Sequence, residues 1–223
     1  MFDKIGEFIS FFFKLHRVLW QILYGAWKIS AIPRPIVTIF GGSNLSRNSV
    51  YVEQIQRLAE RFTDHNISVL TGGGPGVMEA ANCGARLTKK GKGRSIGISV
   101  KSLGEKRNTC MQDYFELDYL FARKMLLMSY SQAFIIFPGG FGTLDELSEA
   151  FTLIKIKSLD KLPVVLVGTE YWNPFFEWLR QGPVAHGLVD AKDLDFFILT
   201  DDLDKAFCSI RDVCPLPSPS ARK

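Results

Sequence analysis

The sequence predicts an α/β protein: a doubly wound, mostly parallel Rossmann-like sheet with helices on both faces, preceded by an N-terminal amphipathic helical extension. From Ile36 onward, short apolar runs rich in β-branched residues alternate with stretches of helical apolar spacing, and parallel strands require crossover helices of this kind. Glycine clusters follow several of those runs, at Gly41-Gly42, Gly72 to Gly76 and Gly139 to Gly142. The 223 residues make one domain of ordinary size with an appendage, not two full domains.

Residues 1–32 form the appendage. Asp3, Glu7, Ser10, Lys14, Arg17, Gln21 and Lys28 recur at intervals of three, four or seven and make one narrow polar stripe on a helix. Phe2, Phe8, Phe11, Phe12, Phe13, Trp20, Tyr24 and Trp27 crowd the remainder. The longest uncharged run, Val18 to Trp27, is ten residues, half of what spans a bilayer. Two ways of burying this face stay open. The helix docks on its own domain or a sister subunit, or it makes a peripheral membrane contact with Lys14, Arg17 and Lys28 toward anionic lipid.

Residues 33–213 are read as the Rossmann-like domain itself. Strands are expected at Ile36–Phe40, Ser68–Leu70, Ser95–Val100, Ala133–Phe137, Pro163–Val167 and Phe196–Leu199. Helices are expected from Ser49 to Phe62, Val77 to Leu87, Leu120 to Tyr130, Leu144 to Ile156, Tyr171 to Arg180 and Asp202 to Arg211. The tail, 214–223, has too little apolar surface to fold and is expected to be disordered.

Hydrophobic residues at 47% and charged residues at 22% exclude a disordered, collagenous or multi-span membrane chain. A net charge of +4 is too weak to indicate nucleic acid. Residues 84–107 hold eight basic groups against Glu105; such a run either attracts anions or is a solvated helix end and loop. The four cysteines contain no Cys-x-x-Cys pair, and His16, His65 and His186 stand far apart, so neither a metal site nor a cofactor is proposed. Without a cleavable signal or a disulfide pattern, the chain reads as cytoplasmic with reduced thiols. Cys83 reads as a packing residue of its helix and His186 as a surface residue.

In a sheet of this type ligands bind beyond the carboxyl ends of the strands, where the glycine loops fall. Glycine admits close approach of backbone N–H groups, and the following helix N-terminus favours an anion, so each loop suits a phosphate. No loop completes G-x-G-x-x-G, since Gly74-Pro-Gly76-Val-Met-Glu79 ends in glutamate, and G-x-x-x-x-G-K-[ST] is missing. The ligand class is therefore a mononucleotide or another small phosphate ester.

Thr71-Gly-Gly-Gly-Pro-Gly-Val-Met-Glu-Ala80, Arg123-Lys124 and Pro138-Gly-Gly-Phe-Gly-Thr-Leu-Asp-Glu146 resemble the LOG (Lonely Guy) family of Rossmann-fold phosphoribohydrolases, over roughly Ile36 to Ile210. The resemblance implies hydrolysis of the N-glycosidic bond of a nucleoside 5′-monophosphate, AMP-like or a cytokinin riboside monophosphate, by a homodimer or larger homo-oligomer. It implies Arg123 and Glu146 as the catalytic pair, with Gly139, Gly140, Gly142 and Thr143 around the phosphate. Ser43, Gly73, Gly74 and Gly76 would complete the pocket, with Asn108 and Lys124 as further candidates and Glu79 as a possible one. Shorter members carry glycine where Glu79 stands and a cysteine before the first Gly-Ser; in both respects this chain looks like a longer bacterial branch. The old family label of lysine decarboxylase finds no support, because no lysine is singled out for a Schiff base.

Loss of the base leaves a ribosyl oxocarbenium-like centre, which a carboxylate near the sugar stabilises. Glu146 suits that role, and Arg123, permanently charged, suits the phosphate or the departing base. Other readings of the same residues stay open. Thr143-Leu-Asp-Glu146 is also a capping box, Arg123 also reads as a solvated helix residue, and Glu79 as a first-turn acid favoured by the helix dipole. A binding module carrying a phosphorylated cofactor without turnover, such as molybdenum cofactor, is the alternative function.

Overall fold

The structure, a computed structural model, describes residues 2–159 and 161–211, with side chains from residue 5 onward. The expected disordered tail and the side chains of Phe2 and Asp3 lie outside the described residues. The chain runs α1 (Phe2–Ser30), β1 (Ile36–Phe40), α2 (Val50–Asp64), β2 (Ser68–Thr71), α3 (Val77–Arg86), β3 (Ser95–Val100), β4 (Asp113–Leu117), α4 (Leu120–Tyr130), β5 (Ala133–Ile136), α5 (Phe141–Lys155), β6 (Val164–Val167), α6 (Thr169–Leu179), β7 (Phe197–Thr200) and α7 (Leu203–Arg211). The sheet order is β4-β3-β2-β1-β5-β6-β7, and every neighbouring pair is parallel.

Alternation along each strand splits the core in two, because successive side chains leave opposite faces. Ile36, Phe40, Leu70, Phe134, Ile136 and Leu166 pack under α1, α4, α5 and α6. Val37, Ile39, Val69, Ile135, Val165 and Val167 pack under α2, α3 and α7. Burial on both faces explains the near-continuous apolar runs that make the strands legible in the sequence.

Three sequence expectations need correction. A seventh strand, β4, escapes the reading because Asp113-Tyr-Phe-Glu-Leu117 lies at the sheet edge: Phe115 and Leu117 are buried and Glu116 is exposed, so no apolar run marks it. α5 begins at Phe141, three residues earlier than expected, with Gly140 as its cap residue and no side-chain cap bond. Thr143 and Glu146 therefore lie inside the helix, and the capping-box reading fails. Reduced thiols were expected, but Cys83 on α3 and Cys110 before β4 form a disulfide, with Cα atoms 4.7 Å apart. Their separation of 27 residues hides a proximity made by packing α3 beside the loop that enters β4.

α1 docks on its own domain along part of its surface, one of the two ways left open for it. Two residues of its polar stripe join the contact: Arg17 Nε lies 2.7 Å from Asp118 and Gln21 Nε2 donates to the same carboxylate at 2.7 Å. Val18, Gly25 and Ile29 are buried against the domain, where a Cβ on Gly25 would meet Leu126 and Phe115. Most of the aromatic residues remain exposed.

Candidate functional site

The sheet order reverses between β1 and β5, which continue in opposite directions across the sheet. Their carboxyl-end loops are tied together by Gly42 N donating to Pro138 O at 3.0 Å. Gly76 has φ +66°, and a Cβ there would run into the Gly42 carbonyl, so the loop after β2 is pressed against the loop after β1. Val77 N donates to that same carbonyl at 3.1 Å, which seats the start of α3 beside it. A Cβ on Gly139 would collide with Thr143 Oγ1, so glycine is what lets β5 turn directly into α5.

A cleft of about 320 Å³ opens at this switch point. Gly42, Ser43, Gly72, Gly140, Gly142 and Thr143 line it, together with Arg123, Lys124 and Glu146. The first amides of α5 precede its hydrogen-bond ladder, which starts with Leu144 N donating to Gly140 O at 3.1 Å, and such amides favour an anion. Nothing stands within 4 Å of a Cβ built on Gly140 or Gly142, so a ligand can approach the backbone there.

Arg123 lies on α4 in a stripe with Ala122, Leu126 and Leu127 and is buried, which overturns its solvated reading. Its Nη2 lies 3.7 Å from Glu146 Oε1 and its Nη1 4.0 Å from Glu105 Oε2. Both separations exceed hydrogen-bond length, and among the described residues Nε and Nη1 have no hydrogen-bond partner. Burial pushes the Glu146 carboxyl up to about 7, although the Arg123 guanidinium pulls the other way. Burial opposes the charge of Lys124, but Asp145 at 2.6 Å and Glu149 at 2.9 Å outweigh it and raise its pKa.

Other sequence candidates stand behind the cleft instead of on its wall. Asn108 is buried; its Nδ2 donates to Gly74 O at 2.9 Å and to Asn82 Oδ1 at 3.1 Å, and its N–H to Gly73 O at 3.1 Å. It therefore braces the loop containing Gly73, Gly74 and Gly76. Glu79 is not in the cleft: it pairs with Arg47 at 3.4 Å beside a separate surface hollow. Sequence reasoning missed Glu105, which looked like a lone acid in a basic run, and the apolar walls Phe40, Met78, Leu103, Leu120 and Phe141.

The family profile described as "possible lysine decarboxylase", which covers LOG proteins, matches residues 78–210. The chain belongs to that family. Within the LOG family it is 29% identical over 157 residues to the cytokinin riboside 5′-monophosphate phosphoribohydrolase LOG3 of Arabidopsis thaliana, covering 69% of this chain and 71% of the relative. It is 24% identical over 192 residues to the cytokinin riboside 5′-monophosphate phosphoribohydrolase of Rhodococcoides fascians, covering 83% and 96%. The molybdenum cofactor carrier protein of Chlamydomonas reinhardtii has a similar fold, with TM-score 0.59 and 20% identity over 81% of this chain and 98% of the carrier. The LOG-family match includes Arg123 and Glu146 as well as the whole of α5.

Proposed function

We propose that the chain hydrolyses the N-glycosidic bond of a nucleoside 5′-monophosphate, either AMP-like or a cytokinin riboside monophosphate, to free base and ribose 5-phosphate. The observation that carries this reading is a mostly buried carboxylate, Glu146, facing an under-bonded guanidinium, Arg123, at the amino end of α5. The backbone amides of Phe141 to Thr143 receive the phosphate and thereby position the ribose. The C1′–N bond breaks with its electron pair going to the base. Glu146, as carboxylate, stabilises the positive charge that develops on the sugar. Water then adds its oxygen to C1′, and one of its protons makes good the charge on the departing base. Arg123 supplies free N–H donors to the phosphate or to the base, and the apolar walls from Phe40, Met78 and Leu120 accept the base ring.

The relatives' names support the substrate class, and the carrier fold supports only the architecture. The test incubates the full chain with a panel of nucleoside 5′-monophosphates, isopentenyladenosine monophosphate included, and with the corresponding nucleosides. Free base is expected from at least one monophosphate and scarcely from its nucleoside. Equal rates with and without phosphate defeat the positioning role of the α5 loop. A nucleotide or cofactor that binds tightly and stays intact across the whole panel defeats hydrolysis in favour of a carrier.

A further inference from the structure

From Phe8 to Arg34 the chain contains Lys14, Arg17, Lys28 and Arg34 and not one acidic residue. Residues 5–17 of α1 are exposed on every side. Lys28 and Asp113, at the start of β4, line the same surface hollow, whereas Arg17 contacts Asp118 just after the strand's end. The helix thus runs alongside β4, and residues 5–16 project past the carboxyl edge of the sheet by about 18 Å at the usual helical rise. That is the edge on which the cleft opens.

At 100° per residue, the docked residues Val18, Gly25 and Ile29 share one side of the helix, and Ile9, Trp20 and Trp27 point the opposite way. Trp20 is 68% exposed and Trp27 67%. In the projecting half, Phe8, Phe11, Phe12, Phe13 and Leu15, all exposed, spread over an arc of about 200° at that same angular step. A partner helix buries a stripe of roughly 100°, so a second copy of α1 would leave half of this surface in water. A lipid interface wets the whole arc. Lys28 Nζ rests 5.6 Å from the Tyr24 ring and 5.8 Å from the Trp27 ring, which holds a cation at the margin of the aromatic face. Lys14 is likewise exposed at the margin of the Phe cluster. No described helix is long and apolar enough to cross a membrane.

We infer that α1 lies in the plane of an anionic lipid surface, its aromatic arc among the upper acyl chains and Lys14 and Lys28 against the headgroups, and holds the domain there with the cleft edge close to the lipid. Aromatic amphipathic helices bind in this way, and a cationic margin selects anionic lipid. The occupant is a bilayer rather than a protein, and this conclusion does not depend on which reaction the cleft performs.

The test is flotation of the full chain with phosphatidylcholine vesicles, alone or with roughly 30% phosphatidylglycerol. The protein should float with the mixed vesicles, and its tryptophan emission should move to the blue. Phe12→Glu/Trp20→Glu should lower the bound fraction at least tenfold with circular dichroism and melting unchanged, since both side chains are exposed. Lys14→Glu/Lys28→Glu should abolish the preference for phosphatidylglycerol. A full chain that stays at the bottom of the gradient with mixed vesicles overturns the inference. Sedimentation then reports the replacement: a dimer that Phe12→Glu/Trp20→Glu turns into a monomer assigns the face to a second copy.

Discussion

Glu146 carries opposite demands. Its burial favours the neutral acid, and the chemistry proposed for it requires the carboxylate. Because the folded-state pKa lies above the unfolded value, protonated Glu146 favours the fold. That stabilisation is complete below the ordinary carboxylate range and is lost as pH rises through about 7. The amplitude is on the order of 3 kcal/mol. Glu146→Gln should remove this loss, so thermal melts on the two sides of pH 7 should differ less in the variant than in the parent. Base release should follow the reverse course in the parent, rising through about 7 as the carboxylate forms, and fall on the order of 10²-fold or more in Glu146→Gln. A pH–rate profile checks both expectations. Arg123 and Glu146 were legible because their surrounding residues form a family pattern. Glu105 was not, since a glutamate amid lysines carries no local sign that folding will set it 4.0 Å from Arg123.

At the scale of elements, the stretch between β3 and β4 holds Glu105 at the cleft and Asn108 behind it, and the Cys83–Cys110 disulfide anchors its far end to α3. Cys110 N also donates to Asn108 Oδ1 at 3.1 Å, so the link reaches the brace directly. Closing a loop across 27 residues stabilises the fold by roughly 3.5 kcal/mol in the chain-entropy account. A reductant should therefore lower the melting temperature of the parent and leave that of Cys110→Ser unchanged. In the same samples the KM for the monophosphate should rise several-fold, with a smaller effect on kcat, if the brace acts on substrate binding. The start of α5 shows the opposite case: Pro138 to Gly142 is recognisable as a turn, yet Gly140 rather than Thr143 caps the helix. Residues with strong capping propensity mislead when a glycine upstream already permits the helix to begin and its free amides face a ligand site.

For the whole molecule, the cleft lies where β1 and β5 diverge, so the phosphate ester proposed to bind there would link the two halves of the sheet through the loops after both strands. Ribose 5-phosphate at a hundred times its Kd should stabilise the chain by about 2.7 kcal/mol, a rise in melting temperature of roughly 5–10 °C for a domain of this size. Arg123→Ala should abolish most of that rise, and calorimetry with ribose 5-phosphate and with ribose checks that phosphate is the recognised part. The alternation of apolar runs with amphipathic stretches determined the class of fold and six of the seven strands, because a strand buried on both faces needs apolar residues at nearly every position. The glycine clusters determined where the loops that line the cleft fall, because local backbone freedom is written in residue type. Tertiary structure alone decided the edge strand β4, the disulfide partners, the place of Glu105, the removal of Glu79 from the cleft and the face on which α1 docks. Each of these depends on which surfaces meet across long sequence separations, and a local pattern of polarity records that a face must be covered without recording what covers it.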